Sequence, residues 1–107
     1  MEQDEIRQEL QQIAESGVLV IVEGPKDKAA LGKYGITNIL QLSKAPIFSV
    51  IEKAANEKEV VILTDLDEKG KELYGKIAKG LQERGVKVDN KIREMLFKAK
   101  VSHIEGL

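Results

Sequence analysis

The sequence predicts an α/β fold: a three-layer, Rossmann-like arrangement with a central, mostly parallel four-stranded sheet and helices on both faces. Three observations predict it. Two short runs, Val18–Val22 and Glu59–Leu63, are dominated by β-branched aliphatic residues, the pattern of strands buried on both faces. Segments of helical period separate the strand-like runs, which calls for right-handed βαβ units. No linker or low-complexity tract interrupts the 107 residues. The span 1–107 is therefore expected to be one domain, with its core at about 17–101 and a helix in front of it.

Each element has its own signal. Asp4–Glu15 predicts a helix, because Ile6, Leu10 and Ile13 recur at helical spacing and Gly17 stands where a C-terminal cap belongs. Val18–Val22 is the first strand. Pro25 suits the first turn of the next helix, whose apolar side is Ala29, Ala30, Leu31 and Tyr34 and which Gly35 closes. Asn38–Leu42 is a second, weaker strand. Pro46 opens a helix through Ala55 that buries Ile47, Val50, Ile51 and Ala54. Glu59–Leu63 is the third strand, and Lys69–Arg84 the crossover helix after it, with Leu73, Ile77 and Leu81 at four-residue steps. Gly85 ends that helix, Val86–Val88 forms a short fourth strand, and Asn90–Lys98 a last helix with Ile92, Met95 and Leu96 inward. Val101–Leu107 is expected to add an edge segment. Glycines 70, 75, 80 and 85 are evenly spaced, but a five-residue step matches no helix face, so each reads as a separate local choice.

Composition narrows the function. Apolar residues at 42% and charged residues at 33% describe a globular chain rather than a disordered one. The absence of cysteine excludes disulfides, thiolate metal sites and a cysteine nucleophile. A single histidine, His103, excludes a multi-histidine zinc site within one chain. His103 lies near the C-terminus and reads as an uncommitted surface residue. The opening MEQDEIRQEL has no apolar signal core, and the longest apolar runs are far too short to span a bilayer. The expected compartment is the cytoplasm, with no membrane contact. A formal net charge of −1 is not that of a free-standing nucleic-acid clamp. Any contact with nucleic acid needs a local patch, a partner protein or a metal that screens the phosphates.

Chemistry concentrates at two strand ends. Ligands of open parallel sheets bind beyond the carboxyl ends of the strands. Glu23 follows the first strand in VLVIVEGPKD, and Asp65 and Asp67 follow the third in VVILTDLDEKG. Residues i and i+2 of an extended segment point the same way, so Asp65 and Asp67 can converge. Glu23 joins them if the first and third strands are neighbours. Like charges so close raise one another's pKa, and a divalent cation removes that difficulty. Magnesium prefers oxygen ligands and is held by one or two carboxylates plus substrate phosphates. Gly24 lets a phosphate approach the helix start, with Lys26 and Lys28 adding positive charge. The same acids also suit structural work: Asp67 as a helix cap, Asp65 as a turn acid, Glu23 as a solvated strand end, Asp27 as a first-turn acid.

Taken together, Glu23-Gly24-Pro25-Lys26-Asp27 and Thr64-Asp65-Leu66-Asp67-Glu68-Lys69-Gly70 give a resemblance. The chain resembles the Toprim domain, shared by type IA and type II topoisomerases, bacterial primases and several small nucleases. That family carries a glutamate in an EGxxD-like stretch after its first strand and a TDxDxxG-like stretch after a later one. The resemblance spans roughly residues 17–101 and is similar to small free-standing Toprim proteins and to the ribonuclease that trims a ribosomal RNA precursor. The tail Lys100–Glu105 looks loosely like that ribonuclease's end. The resemblance implies that Asp65 and Asp67 coordinate Mg2+, with Mn2+ as a substitute, and that Glu23 acts as general acid/base or shares the metal. It places Gly24, Lys26 and Asp27 at the substrate phosphate. The tyrosine-bearing domain of a topoisomerase and the polymerase-like remainder of a primase have no counterpart in this sequence, so neither activity is carried over.

Three functions follow for comparison. The first is an Mg2+-dependent enzyme acting on the phosphodiesters of RNA or DNA, nuclease-like in chemistry. The second is a non-catalytic nucleic-acid-binding module or subunit, suggested by Lys87, Lys91, Arg93, Lys98 and Lys100 set against Asp89 and Glu94. Mixed charge is also ordinary on a solvated helix face. The third is a phosphoacceptor receiver. It fits less well, because receivers place an acidic pair after the first strand, and here a lone glutamate is followed by Gly-Pro.

Overall fold

The computed structural model describes residues 2–107; Met1, part of the expected 1–107 span, lies outside the described residues. The chain runs α1 (Glu2–Ser16), β1 (Leu19–Val22), α2 (Pro25–Gly32), β2 (Ile39–Gln41), α3 (Ile47–Ala54), β3 (Glu59–Leu63), α4 (Glu68–Glu83), β4 (Lys87–Asp89) and α5 (Lys91–Lys98). A 3₁₀ turn, Ile104–Gly106, follows. Strand and helix alternate from β1 to α5, as the hydrophobic periods require.

The four strands form one parallel sheet in the order β2-β1-β3-β4. The chain leaves β1 toward β2 on one side and then crosses to β3 on the other. The order therefore reverses between β1 and β3, and the crevice beyond their carboxyl ends is where such sheets bind ligands. Register makes the crevice level: Val22 pairs with Leu63 on one side and with Gln41 on the other. Glu23 and Thr64 thus leave the sheet at the same height.

Side-chain alternation along β1 and β3 splits the core into two layers. Val20, Val22, Val61 and Leu63 face α1, α2 and α5, meeting Ile6, Leu10, Ile13, Leu31, Ile92 and Leu96. Ile21, Val60 and Ile62 face α3 and α4, meeting Val50, Ile51, Ala54, Ile77 and Leu81. Both central strands are buried on both sides, which explains their uninterrupted aliphatic sequence.

The tail departs from expectation. Val101–Leu107 adds no strand. The Ser102 carbonyl accepts the Leu66 N–H at 2.8 Å, and the Ile104 N–H donates to Asp65 Oδ1 at 2.9 Å. These groups serve the β3–α4 turn instead of a ladder, and Ile104 is fully buried beside it. The four glycines are separate choices. A Cβ on Gly70 would lie 1.9 Å from the Asp65 carbonyl oxygen, one on Gly80 would meet Ile51, and one on Gly75 would meet nothing within 4 Å. Gly85 closes α4 with φ +80°.

Candidate metal centre

Three acids stand beyond β1 and β3, and each is oriented through one oxygen. Glu23 Oε2 accepts the Asp65 N–H at 2.7 Å, bridging the two central strands. Asp65 Oδ1 accepts the Ile104 N–H. Asp67 is the N-cap of α4, its Oδ1 accepting the Gly70 N–H at 2.8 Å. The capping role and the converging role thus belong to the same residue. In every case the second carboxylate oxygen forms no hydrogen bond among the described residues, so the set is both fixed in place and open to a cation.

The grouping differs from the expected one. The donor atoms that lie together, all within 4.8 Å of one another, belong to Asp65, Asp67 and His103. Glu23 is bound to the Asp65 backbone next to this trio and is not a member of it. His103 Nε2 stands 3.7 Å from Asp67 Oδ2, too far for a hydrogen bond but close enough to share an ion. Its Nδ1 is 2.9 Å from Ser102 Oγ. His103 is exposed, as its position suggested, yet it stands at the site. Only the tail's path over the β3–α4 turn brings it there, and no local motif announces that path. The donor chemistry suits a divalent cation. Two carboxylate oxygens are hard ligands of the magnesium type, and one imidazole extends the set to first-row metals such as manganese.

The β3–α4 turn is held from beneath by a residue whose role the sequence did not disclose. Arg93 on α5 is 8% exposed and donates from Nη1 to the Thr64 carbonyl at 2.6 Å and from Nη2 to the Asp65 carbonyl at 3.1 Å. Its guanidinium carbon lies 4.5 Å from the centre of the Tyr74 ring. Burial pulls the guanidinium pKa down, while Tyr74, Glu23 and Asp65 push it up. Arginine stays protonated under these conditions, so a fixed positive charge faces the acidic cluster. Thr64 is buried as well, its hydroxyl donating to the Gly70 carbonyl at 2.7 Å.

This position for Arg93 changes the reading of the basic stretch. Lys87 pairs with Glu59 at 3.4 Å and Lys91 with Glu9 at 3.2 Å. With Arg93 turned inward, Lys98 and Lys100 are left of the five cations once grouped as a patch. The stretch is not one continuous basic face.

A groove of about 560 Å³ is lined by Glu23, Asp65 and His103, with Lys26, Lys44 and Lys69 also on its walls. Asp27 has a different job from the phosphate contact expected of it. It is buried, and its Oδ2 accepts the Gly24 N–H at 3.0 Å, so that donor is already engaged. Burial raises the Asp27 pKa, the Gly24 hydrogen bond opposes the rise, and the Asp65 charge adds to it. Gly24 itself leaves open space, since a Cβ there meets nothing within 4 Å.

Comparison with known proteins agrees with this fold. Residues 17–90 match the Toprim domain, and the chain belongs to that family. Within it, the chain is similar to UPF0292 proteins of archaea. One from Pyrococcus abyssi is 45% identical over 92 residues, covering 82% of this chain and 70% of that one. Another, from Thermococcus sibiricus, is 32% identical over 103 residues, covering 95% of this chain and 82% of that one. A solved structure of a protein from Aquifex aeolicus superposes with a TM-score of 0.86 at 31% identity, over 97% of this chain and 96% of that one. Toprim membership points to a divalent-metal-binding, nucleic-acid-related role. No described helix is long and apolar enough to cross a membrane.

Proposed function

We propose that this protein is a Mg2+-dependent, nuclease-like enzyme that cleaves phosphodiester bonds of RNA or DNA in the groove lined by Glu23 and Asp65, beside Asp67. The observation that carries the reading is the set of half-engaged carboxylates. Each spends one oxygen on a backbone N–H of this fold and keeps the other out of any hydrogen bond, with Glu23, Asp65 and His103 lining the groove and Asp67 in the same donor group as Asp65 and His103. A bound magnesium ion would polarise the phosphoryl oxygen and stabilise the leaving oxygen. Asp65 and Asp67, with His103, are the residues that would hold it. Glu23, locked to the Asp65 N–H through Oε2, keeps Oε1 for moving a proton to or from the reacting oxygen. Lys26, with Lys44 and Lys69 across the groove, draws in a polyanion that the acids alone would repel.

The test uses an isosteric change. Asp65→Asn keeps an oxygen for the Ile104 N–H and removes the charge. Wild type is expected to cleave mixed RNA or DNA substrates only with Mg2+ or Mn2+, and the variant to lose that activity while keeping its circular dichroism spectrum. Equal cleavage by the two proteins would end the proposal.

A further inference from the structure

The structure carries a second concave surface, across Leu66 from the metal groove. Leu66 sits between Asp65 and Asp67, and its side chain lines a cleft of about 330 Å³ shared with Lys71, Tyr74, Asn90, Phe97 and Lys98. That volume is at the small end of ligand clefts, roughly 300–1,000 Å³. A neighbouring cleft is also lined by Leu66, Phe97 and Lys98, with Lys100 and Ser102 beyond them. Phe97 is the ridge between the two, and its side chain is 60% exposed. Ser102 adjoins His103, so the second cleft leads back to the acids.

An exposed aromatic ring on its own needs no explanation. This one has four companions. Lys71 Nζ lies 5.2 Å from the centre of the Phe97 ring, so a cation already rests on the aromatic face. Lys98 and Lys100 flank the ridge, and Glu94 is the one acid lining either cleft. Asn90 accepts the Tyr74 hydroxyl through Oδ1, which leaves its amide N–H₂ as a donor at the wall. A flat ring, exposed cations around it and an amide donor match a planar, hydrogen-bonding group that carries negative charge beside it.

We propose that the Phe97 ridge is a stacking platform for an unpaired base of single-stranded nucleic acid, whose backbone continues past Leu66 into the metal groove. Lys71, Lys98 and Lys100 meet the phosphates, and Asn90 meets the base edge. The inference rests on the nucleic-acid reading of the groove and adds a substrate class to it: unpaired strands rather than duplex. RNA and DNA share this chemistry, since the platform reads a π-face and a phosphate.

The experiment is equilibrium fluorescence anisotropy of the full chain with a short labelled RNA or DNA strand and with the same strand in duplex form. Phe97→Ala is expected to weaken single-strand binding by about 5-fold to 150-fold, the range for loss of one stacked base. Phe97→Trp should restore it and Phe97→Leu should not. Phe48→Ala is the control, since Phe48 is 62% exposed on α3 in the opposite layer and should bind as wild type does. Equal binding of single strand and duplex, or wild-type affinity in Phe97→Ala, overturns the platform and leaves the metal groove standing. Absence of binding to any strand at low salt removes the nucleic-acid reading itself. Self-association of wild type that Phe97→Ala abolishes would assign the ridge to a second copy of the chain and also overturn the proposal.

Discussion

Replacing Gly70 with alanine strikes the point where the fold and the site share atoms. The added Cβ would stand 1.9 Å from the Asp65 carbonyl oxygen, 2.5 Å from its carbon and 2.9 Å from its Cα. These are backbone atoms, and Arg93 holds the same carbonyl from the other side, so the turn cannot yield cheaply. The start of α4 has to move instead. That movement stretches the Asp67 cap and the bond from the Thr64 hydroxyl to the Gly70 carbonyl. Overpacking costs about 1–3 kcal/mol, and a lost N-cap adds about 1 kcal/mol. The expected loss is therefore about 2–4 kcal/mol in urea unfolding, partly offset by the better helix propensity of alanine. The internal comparison is Gly75→Ala, in the same helix and with open space at the Cβ. That change should stabilise by roughly 0.5–1 kcal/mol. If both variants unfold within experimental error of one another, the close approach at Gly70 does not exist as described.

Further predictions follow from the same turn. Arg93→Met leaves the Thr64 and Asp65 carbonyls without their donor and should cost about 2–4 kcal/mol in chemical denaturation. Arg93→Lys should recover little of it, because one ammonium cannot replace a guanidinium fork on two carbonyls. Asp27 gives a pH signature. Its pKa is raised on folding, mainly by burial, so the folded state binds the proton more tightly than the unfolded chain. Its contribution is then most favourable below the unfolded value of 3.8 and declines as pH rises through the folded pKa. Asp27→Asn keeps an acceptor for the Gly24 N–H and cannot titrate. Its stability relative to wild type should rise across that window, and a pH-independent difference would contradict the buried-carboxylate account.

The legible parts of the structure are those set by local rules. Glu59–Leu63 is a strand to the residue, because burial on both faces demands an unbroken aliphatic run. Pro25 opens α2 as its fixed φ suggests. Strand ends elsewhere moved by a residue, as with Val86–Val88 against the observed Lys87–Asp89, because short edge strands take their limits from a partner. At the site, Asp65 and Asp67 were legible from i, i+2 spacing, and Glu23 from the expected neighbourhood of β1 and β3, which the register confirms. His103 and Arg93 were not. One arrives through the tail's hydrogen bonds to the β3–α4 turn, the other through a buried contact between α5 and that turn. Both are long-range, and neither leaves a periodic or motif signal in the chain. Asp27 was read as a first-turn acid or a phosphate contact because sequence alone does not show that its carboxylate folds back on Gly24.

The most direct measurement is Mn2+ binding by electron paramagnetic resonance, titrating wild type, Asp65→Asn, Asp67→Asn and Glu23→Gln. The two asparagine variants keep the hydrogen bonds that shape the turn and lose a charged ligand each. They should each bind Mn2+ more weakly than Glu23→Gln, an orienting neighbour, which loses about 10-fold to 100-fold relative to wild type. Wild-type affinity in both asparagine variants, with unfolding curves unchanged, would show that Asp65 and Asp67 do not form a metal centre.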